Sequence, residues 1–258
     1  MGKVFAVIVA AGSGHRFQAS VRYLNQQLPD SAMSVNNIFQ PKQYHFLCGQ
    51  PLLFWTVKSL ADSVDIDHII VAIAIDHNYN LSCLNNLNKN ISIVKCGGDS
   101  RSQTVANAVA YIDNHYQPKP DDLVMVHDGA RCCISQHSIN MLLKQYCCHL
   151  YLGAILAKPI NDSIKLVSNN NTNLVINKAV NRNNLYTAET PQIFLFSSLL
   201  AAIKNKNIRV EYTDEASLFD QENQIQIIEN LVPNPKITSI ADLDYAKFLI
   251  SKQLPLTL

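Results

Sequence analysis

The chain lacks any run of the roughly 18 to 20 apolar residues that a membrane-spanning helix requires, so no helical span is expected. An excess of either charge is also missing: 21 basic residues face 20 acidic ones, for a net charge of +1. A nucleic-acid or membrane surface driven by bulk charge is therefore not expected, and any anion site must be built from a few local residues. Cys-x-x-Cys spacing does not occur, although there are seven cysteines, including the adjacent pairs Cys132-Cys133 and Cys147-Cys148. An odd number without metal or redox spacing reads as reduced thiols in a cytoplasmic protein. No internal repeat is present.

Two more absences concern the first loop. The run Val4-Phe5-Ala6-Val7-Ile8-Val9-Ala10 suits a buried parallel strand, and it breaks into Ala11-Gly12-Ser13-Gly14-His15-Arg16. A dinucleotide fingerprint would want a third glycine where Phe17 stands, and a P-loop would want Gly-Lys-Ser/Thr. What remains is a glycine turn at a strand's carboxyl end, where backbone N–H groups can approach a phosphate, followed at once by a basic side chain. A cleaved leader is disfavoured, because the apolar run is short and cleavage would remove this loop.

At 258 residues and 48% hydrophobic content, the chain has ample material for a large core. Residues 18–40, rich in Asn, Gln and Ser, read as a surface excursion inserted into the fold. Pro41-Lys42-Gln43-Tyr44 follows as a second basic residue on a rigid turn, with a short strand expected over Tyr44 to Leu47. A helix over Leu52 to Ala61, a strand over His68 to Ala74 and a polar helix to about Asn88 come next. Ile91 to Lys95 is a strand ending at Cys96-Gly97-Gly98-Asp99-Ser100-Arg101, with a helix beyond for which Ser102 is a candidate cap. Asp122 to Asp128 is a buried strand, Ser135 to Leu150 a helix and Gly153 to Pro159 a strand.

Residues 163–184 alternate apolar and polar around an Asn-rich turn, a hairpin signal. With few apolar residues, this hairpin is expected to protrude and lean on a partner. Helices over Phe196 to Lys204 and Asp242 to Lys252, a short helix capped by Thr213 and a strand over Gln224 to Glu229 complete the pattern. Strands alternating with helices imply an α/β chain with a mostly parallel, doubly wound sheet.

Eight short runs occur in one order: Ala10 to Arg16, Pro41 to Tyr44, Gly97 to Arg101, Val126 to Arg131, Asn181-Arg182-Asn183, Thr190-Pro191-Gln192, Thr213 to Ser217 and Pro235 to Thr238. Together they make the chain resemble the 2-C-methyl-D-erythritol 4-phosphate cytidylyltransferases of the non-mevalonate isoprenoid pathway. The resemblance spans nearly all of residues 1–258. It implies one Rossmann-like nucleotidyltransferase domain, a β-arm over about residues 160–185, and a homodimer that exchanges arms. It further implies a reaction in which CTP and the polyol phosphate give a CDP-alcohol and pyrophosphate, with Mg2+.

By the same resemblance, Ala10, Ala11, Gly12, Ser13 and Gly14 cradle the triphosphate, while Arg16 and Lys42 stabilise the crowded phosphorus and the departing pyrophosphate. Gly98, Asp99 and Thr104 match positions that read cytosine. Asp128 would contact Mg2+ or the substrate hydroxyls. Arg131, Ser163, Thr190 and Lys236 would hold the polyol phosphate, with Arg182 supplied by the partner, and Lys236 can alternatively close on the α-phosphate. Cys132, beside the substrate arginine, would confer sensitivity to thiol reagents. The inserted segment must bulge outward if Arg16 and Lys42 are to meet. Two other readings stay open: a ribitol 5-phosphate cytidylyltransferase, against which Glu215-Ala216-Ser217 speaks, and a catalytically silent nucleotide-binding protein.

Overall fold

In a computed structural model, residues 2–27, 40–146, 151–170, 173–205, 212–219 and 224–253 are described. The chain runs β1 (Val4–Ala10), α1 (His15–Gln27), β2 (Phe46–Leu47), β3 (Gln50–Pro51), α2 (Leu52–Ala61), β4 (His68–Ile73), β5 (Asn90–Lys95), α3 (Arg101–Tyr116), β6 (Leu123–Asp128), α4 (Gln136–Tyr146), β7 (Gly153–Pro159), β8 (Ile164–Asn169), β9 (Leu174–Val180), β10 (Tyr186–Leu195), α5 (Phe196–Asn205), β11 (Ile225–Glu229) and α6 (Ile240–Gln253). Seven strands form one sheet in the order β11-β7-β10-β6-β1-β4-β5. Among the described residues of this sheet, β10 alone runs antiparallel to its neighbours, β6 and β7.

Because β1 lies mid-sheet with helices on both faces, its residues must be apolar on both sides. Val4, Ala6 and Ile8 pack with Leu53, Val57 and Leu60 of α2 and Leu142 and Leu143 of α4. Phe5 and Val7 pack with Val105, Val109 and Ile112 of α3 and Leu199 of α5. A third cluster joins Phe17 and Val21 of α1 to Ile237 and to Ala246 and Ile250 of α6. This last contact brings the helix after the glycine loop against the segment that carries Lys236.

From β1 the parallel sheet grows to one side through β4 and β5, and to the other through β6. The strand order therefore reverses between β1 and β6, the position where open α/β sheets bind ligands at the carboxyl ends of their strands.

Several local expectations are corrected. The excursion does not begin at Gln18, because α1 continues through Gln27; residues 28–39 lie outside the described residues. The polar stretch before Asn88 forms no α-helix, only a 3-10 turn over Ser82–Asn86. Its asparagines compete with helical bonding, and the Asn80 side chain accepts from the Ser82 N–H. Tyr44 ends a 3-10 turn rather than opening a strand. The strand is only Phe46–Leu47, which pairs with Gln50–Pro51 through Cys48 and Gly49, both at positive φ as a tight hairpin turn requires.

Ser100, not Ser102, caps α3, accepting from the Gln103 N–H at 3.1 Å. Asp214, not Thr213, caps the turn Glu215–Leu218. The last helix begins at Ile240, where Ser239 and Asp242 bond each other's N–H groups in a capping box. The expected hairpin is present as β8 and β9, a separate two-stranded sheet. The pair Cys147-Cys148 lies outside the described residues.

Candidate active site

A cleft of about 500 Å³ opens at the carboxyl ends of β1 and β6. It is lined by Ala10 to Phe17, Lys42 and Gln43, Gly98 to Arg101, Thr104, Asp128 to Ala130 and Lys236. Ten residues expected at the nucleotide and the reacting phosphorus therefore share one cavity: Ala10, Ala11, Gly12, Ser13, Gly14, Arg16, Lys42, Gly98, Asp99 and Thr104. Asp128 and Lys236 join them.

Backbone geometry explains the convergence. Gly14 has φ +79°, and a Cβ there would stand 3.1 Å from the Lys42 backbone nitrogen, so the glycine lets the two loops touch. The Gln43 side chain ties them further, donating to the Ala10 and Gly12 carbonyls at 2.8 and 2.9 Å. α1 begins at His15, so its unpaired N–H groups and positive dipole end sit beside the loop, as anion sites favour.

The cations are held close together. Lys42 Nζ donates to the Ile237 carbonyl at 2.7 Å, and Lys236 Nζ contacts Asp128 Oδ2 at 2.7 Å. Burial, reinforced by the charges of Lys236 and Arg16 and partly opposed by Asp128, lowers the Lys42 pKa to about 8. Burial alone would raise the Asp128 carboxyl, but Arg101 and Lys236 hold it well below the usual carboxylate range.

Arg101 and Glu215 carry no assigned role in the sequence reading, although both stand inside runs that it singled out. Arg101 Nε donates to Asp128 Oδ1 at 2.9 Å, and its two terminal nitrogens grip both oxygens of the fully buried Glu215 at 2.6 and 3.0 Å. Glu215 is 114 residues away in sequence, so the signal for this pairing was limited to two charged residues in motif-like runs.

The base-side loop is preset as well. The Gly98 N–H donates to Thr104 Oγ1 at 3.1 Å, and that hydroxyl donates to the Ser100 carbonyl at 3.0 Å. It keeps only an accepting lone pair for a ligand, which suits an exocyclic amine.

The remaining expected residues are distributed differently. Arg131 lines an adjoining cavity of about 290 Å³ with Lys158, Glu189, Asn234 and Lys236. Its Nη1 donates to the Asn234 carbonyl at 2.7 Å, and its Nε faces Asp128 Oδ2 at 3.8 Å. Thr190 is buried, lines neither cavity, and has its hydroxyl engaged with the Asp128 N–H and His127. Ser163 and Arg182 are exposed at the base of the hairpin and line neither cavity, and the Arg182 guanidinium bonds the Asn161 carbonyl.

The expectation for Cys132 is corrected: it is 2% exposed, 3.8 Å from Cys133 Sγ, and the bond to Cys133 together with burial pushes its thiol pKa up. A buried, protonated thiol is a poor nucleophile.

Asp99 and Asp128 are the carboxylates of the cleft, and no group of three His, Cys, Asp or Glu side chains suited to a metal occurs among the described residues. A magnesium ion fits here only with phosphate oxygens completing its shell around one carboxylate, its usual manner of binding.

Comparison with known proteins agrees with this geometry. The sequence model of the 2-C-methyl-D-erythritol 4-phosphate cytidylyltransferase family (IspD) matches residues 4–252. The enzyme of that name from Prochlorococcus marinus (strain MIT 9215) is 34% identical over 249 residues, 95% of this chain and 97% of the relative. That from Ruthia magnifica subsp. Calyptogena magnifica is 35% identical over 254 residues, 96% and 97% of the two chains. The crystal structure of the Francisella tularensis enzyme superposes with a TM-score of 0.71 at 30% identity, over 96% of this chain and 99% of that one. The chain belongs to the 2-C-methyl-D-erythritol 4-phosphate cytidylyltransferase family.

Proposed function

We propose that the cleft between β1 and β6 transfers CMP from CTP to 2-C-methyl-D-erythritol 4-phosphate, releasing pyrophosphate and forming 4-diphosphocytidyl-2-C-methyl-D-erythritol for isoprenoid biosynthesis. The observation that carries this reading is the meeting of Arg16, Lys42 and Lys236 around a glycine loop in one cleft. A phosphate oxygen of the polyol must form a bond to the α-phosphorus of CTP as the bond to the bridging oxygen of pyrophosphate breaks. Both partners are anions, so catalysis consists of positioning them and stabilising the gathered charge.

In this reading the N–H groups of the glycine loop and the start of α1 hold the triphosphate, and Arg16 and Lys42 stabilise the phosphorus under attack and the leaving pyrophosphate. Gly98, Asp99 and Thr104 select cytosine. Arg131 and Lys236 bind the polyol phosphate, and Thr190 completes that side. Asp128 would hold a divalent ion or the substrate hydroxyls; when bound, that ion would neutralise phosphate charge. Arg182 reaches the substrate from a second copy of the chain, while Ser163 belongs to the same subunit as Arg131 and Thr190. The exposed apolar residues Leu174 and Ile176 of the hairpin, 73% and 66% accessible, support such a dimer, in which each cytoplasmic subunit is one nucleotidyltransferase domain with an exchanged arm.

The test is pyrophosphate release with CTP, Mg2+ and either 2-C-methyl-D-erythritol 4-phosphate or ribitol 5-phosphate. Release with the former is expected, and Lys42→Met should lower kcat by about 10²- to 10³-fold, as loss of one such donor does. Release with ribitol 5-phosphate alone overturns the substrate, and nucleotide binding without turnover overturns the enzyme.

A further inference from the structure

Behind the acidic end of β6 the hydrogen bonds close into a ring. Thr190 Oγ1 lies 2.9 Å from His127 Nδ1, and His127 Nε2 lies 3.0 Å from the Arg131 carbonyl. Arg131 Nη1 donates to the Asn234 carbonyl at 2.7 Å, and Asn234 Nδ2 donates to the Thr190 carbonyl at 2.8 Å. The Asp128 N–H hangs on the same ring, donating to Thr190 Oγ1 at 3.1 Å.

The chemistry of each group dictates the direction of every bond. A carbonyl can only accept, so the imidazole proton is on Nε2. His127 is fully buried, and Thr190 Oγ1, which already accepts from the Asp128 N–H, has His127 Nδ1 as the partner for its own proton, so Nδ1 accepts and the ring is neutral. The Thr190 hydroxyl must therefore point its proton inward at His127. Each of the four residues donates to the next, and at His127 the two bonds run through one conjugated ring and reinforce one another.

Resting on the functional reading above, we propose that His127 is a positioning residue that, as the Nε2–H tautomer, locks Asp128, Arg131 and the Asn234 to Lys236 segment into the arrangement that grips the polyol phosphate. The ring joins three segments distant in sequence: the turn after β6, the middle of β10 and the loop leading to Lys236. It also restricts Thr190. With its proton committed to His127 and a lone pair taken by the Asp128 N–H, the hydroxyl has no donor left for a phosphate oxygen.

Two measurements test this. Nitrogen-15 NMR of the imidazoles in the whole protein near pH 7 should show His127 neutral with the proton on Nε2; a proton on Nδ1 alone, or an imidazolium, overturns the proposal. His127→Asn keeps an acceptor near the Nδ1 position and loses the donor to Arg131; His127→Gln keeps a donor near Nε2 and loses the acceptor for Thr190. Both should raise KM for the polyol phosphate about tenfold, the effect of one unmade buried hydrogen bond, while KM for CTP changes far less.

Equal changes in both KM values, or in neither, overturn it. Asn234→Ser breaks the ring at its opposite side and should give the same split, which keeps the test open if a His127 variant fails to fold. Absence of pyrophosphate release from the unaltered protein would instead defeat the functional reading, leaving the ring to be judged by the tautomer.

Discussion

Lys42 shows how a side chain acquires a property its residue type lacks. It is half-buried beside Lys236 and Arg16, and its pKa falls to about 8 because desolvation and like charges disfavour the ammonium. Above this value the free enzyme loses a cation at the triphosphate, so kcat/KM for CTP should decline as pH rises through about 8. Lys42→Arg, whose guanidinium stays charged, should move that decline upward even if it lowers the rate. Stability should move the other way. Between about 8 and 10.5 the folded chain binds fewer protons than the unfolded one at this site, so the Lys42 contribution to stability increases with pH. A pH series of kcat/KM alongside urea midpoints checks both signs.

At this scale the candidate site was largely legible: Arg16, Lys42, Asp128 and Lys236 stand in short runs whose order is specific. Arg101, Glu215 and His127 were not assigned, because what they do depends on a partner elsewhere in the chain.

Among the elements, the start of α3 is the most consequential. Ser100 caps it and Arg101 opens it, and the turn Glu215–Leu218 is drawn onto it by the bidentate pair between Arg101 and Glu215. Removing one partner of such a pair leaves a charge in a largely dry site. Glu215→Ala should therefore cost about 3 kcal/mol in denaturant unfolding, with weaker CTP binding because Arg101 and Asp128 lose their anchor. A cost under about 0.5 kcal/mol, the range of an ordinary surface change, would show that Asp128 alone suffices for Arg101.

The strands and long helices were readable from apolar periodicity. The caps were misread by one or two positions, since Ser100 and Ser102 are alike in type and only backbone geometry separates them. The helix expected before Asn88 failed because asparagine side chains bond the local backbone instead.

For the whole molecule, the sheet reverses its order at β1 and β6 and so opens one cleft. The third apolar cluster then presses α1 against α6 and delivers Lys236 to it. The hairpin stands apart, with Ser163 and Arg182 outside both cavities, which motivates a test in which subunits complement each other. If the proposed arm-exchanged dimer forms, Lys42→Met and Arg182→Ala proteins, each nearly inactive, should regain pyrophosphate release after being mixed and allowed to exchange subunits, because a mixed dimer would have one intact cleft facing one intact arm. No recovery despite demonstrated exchange would place Arg182 in service of its own chain or of none.

Sequence alone determined the α/β class, the β8–β9 hairpin and the candidate cations of the cleft, because apolar periodicity and short ordered motifs are local properties written in consecutive residues. Tertiary structure alone decided that Gly14 and Lys42 touch, that Glu215 anchors Arg101, and that the Thr190 hydroxyl meets His127. Each of these contacts joins positions 28 to 114 residues apart. Which distant donor meets which acceptor is set by packing, where a buried polar group must find a partner, and local pattern carries no record of that choice.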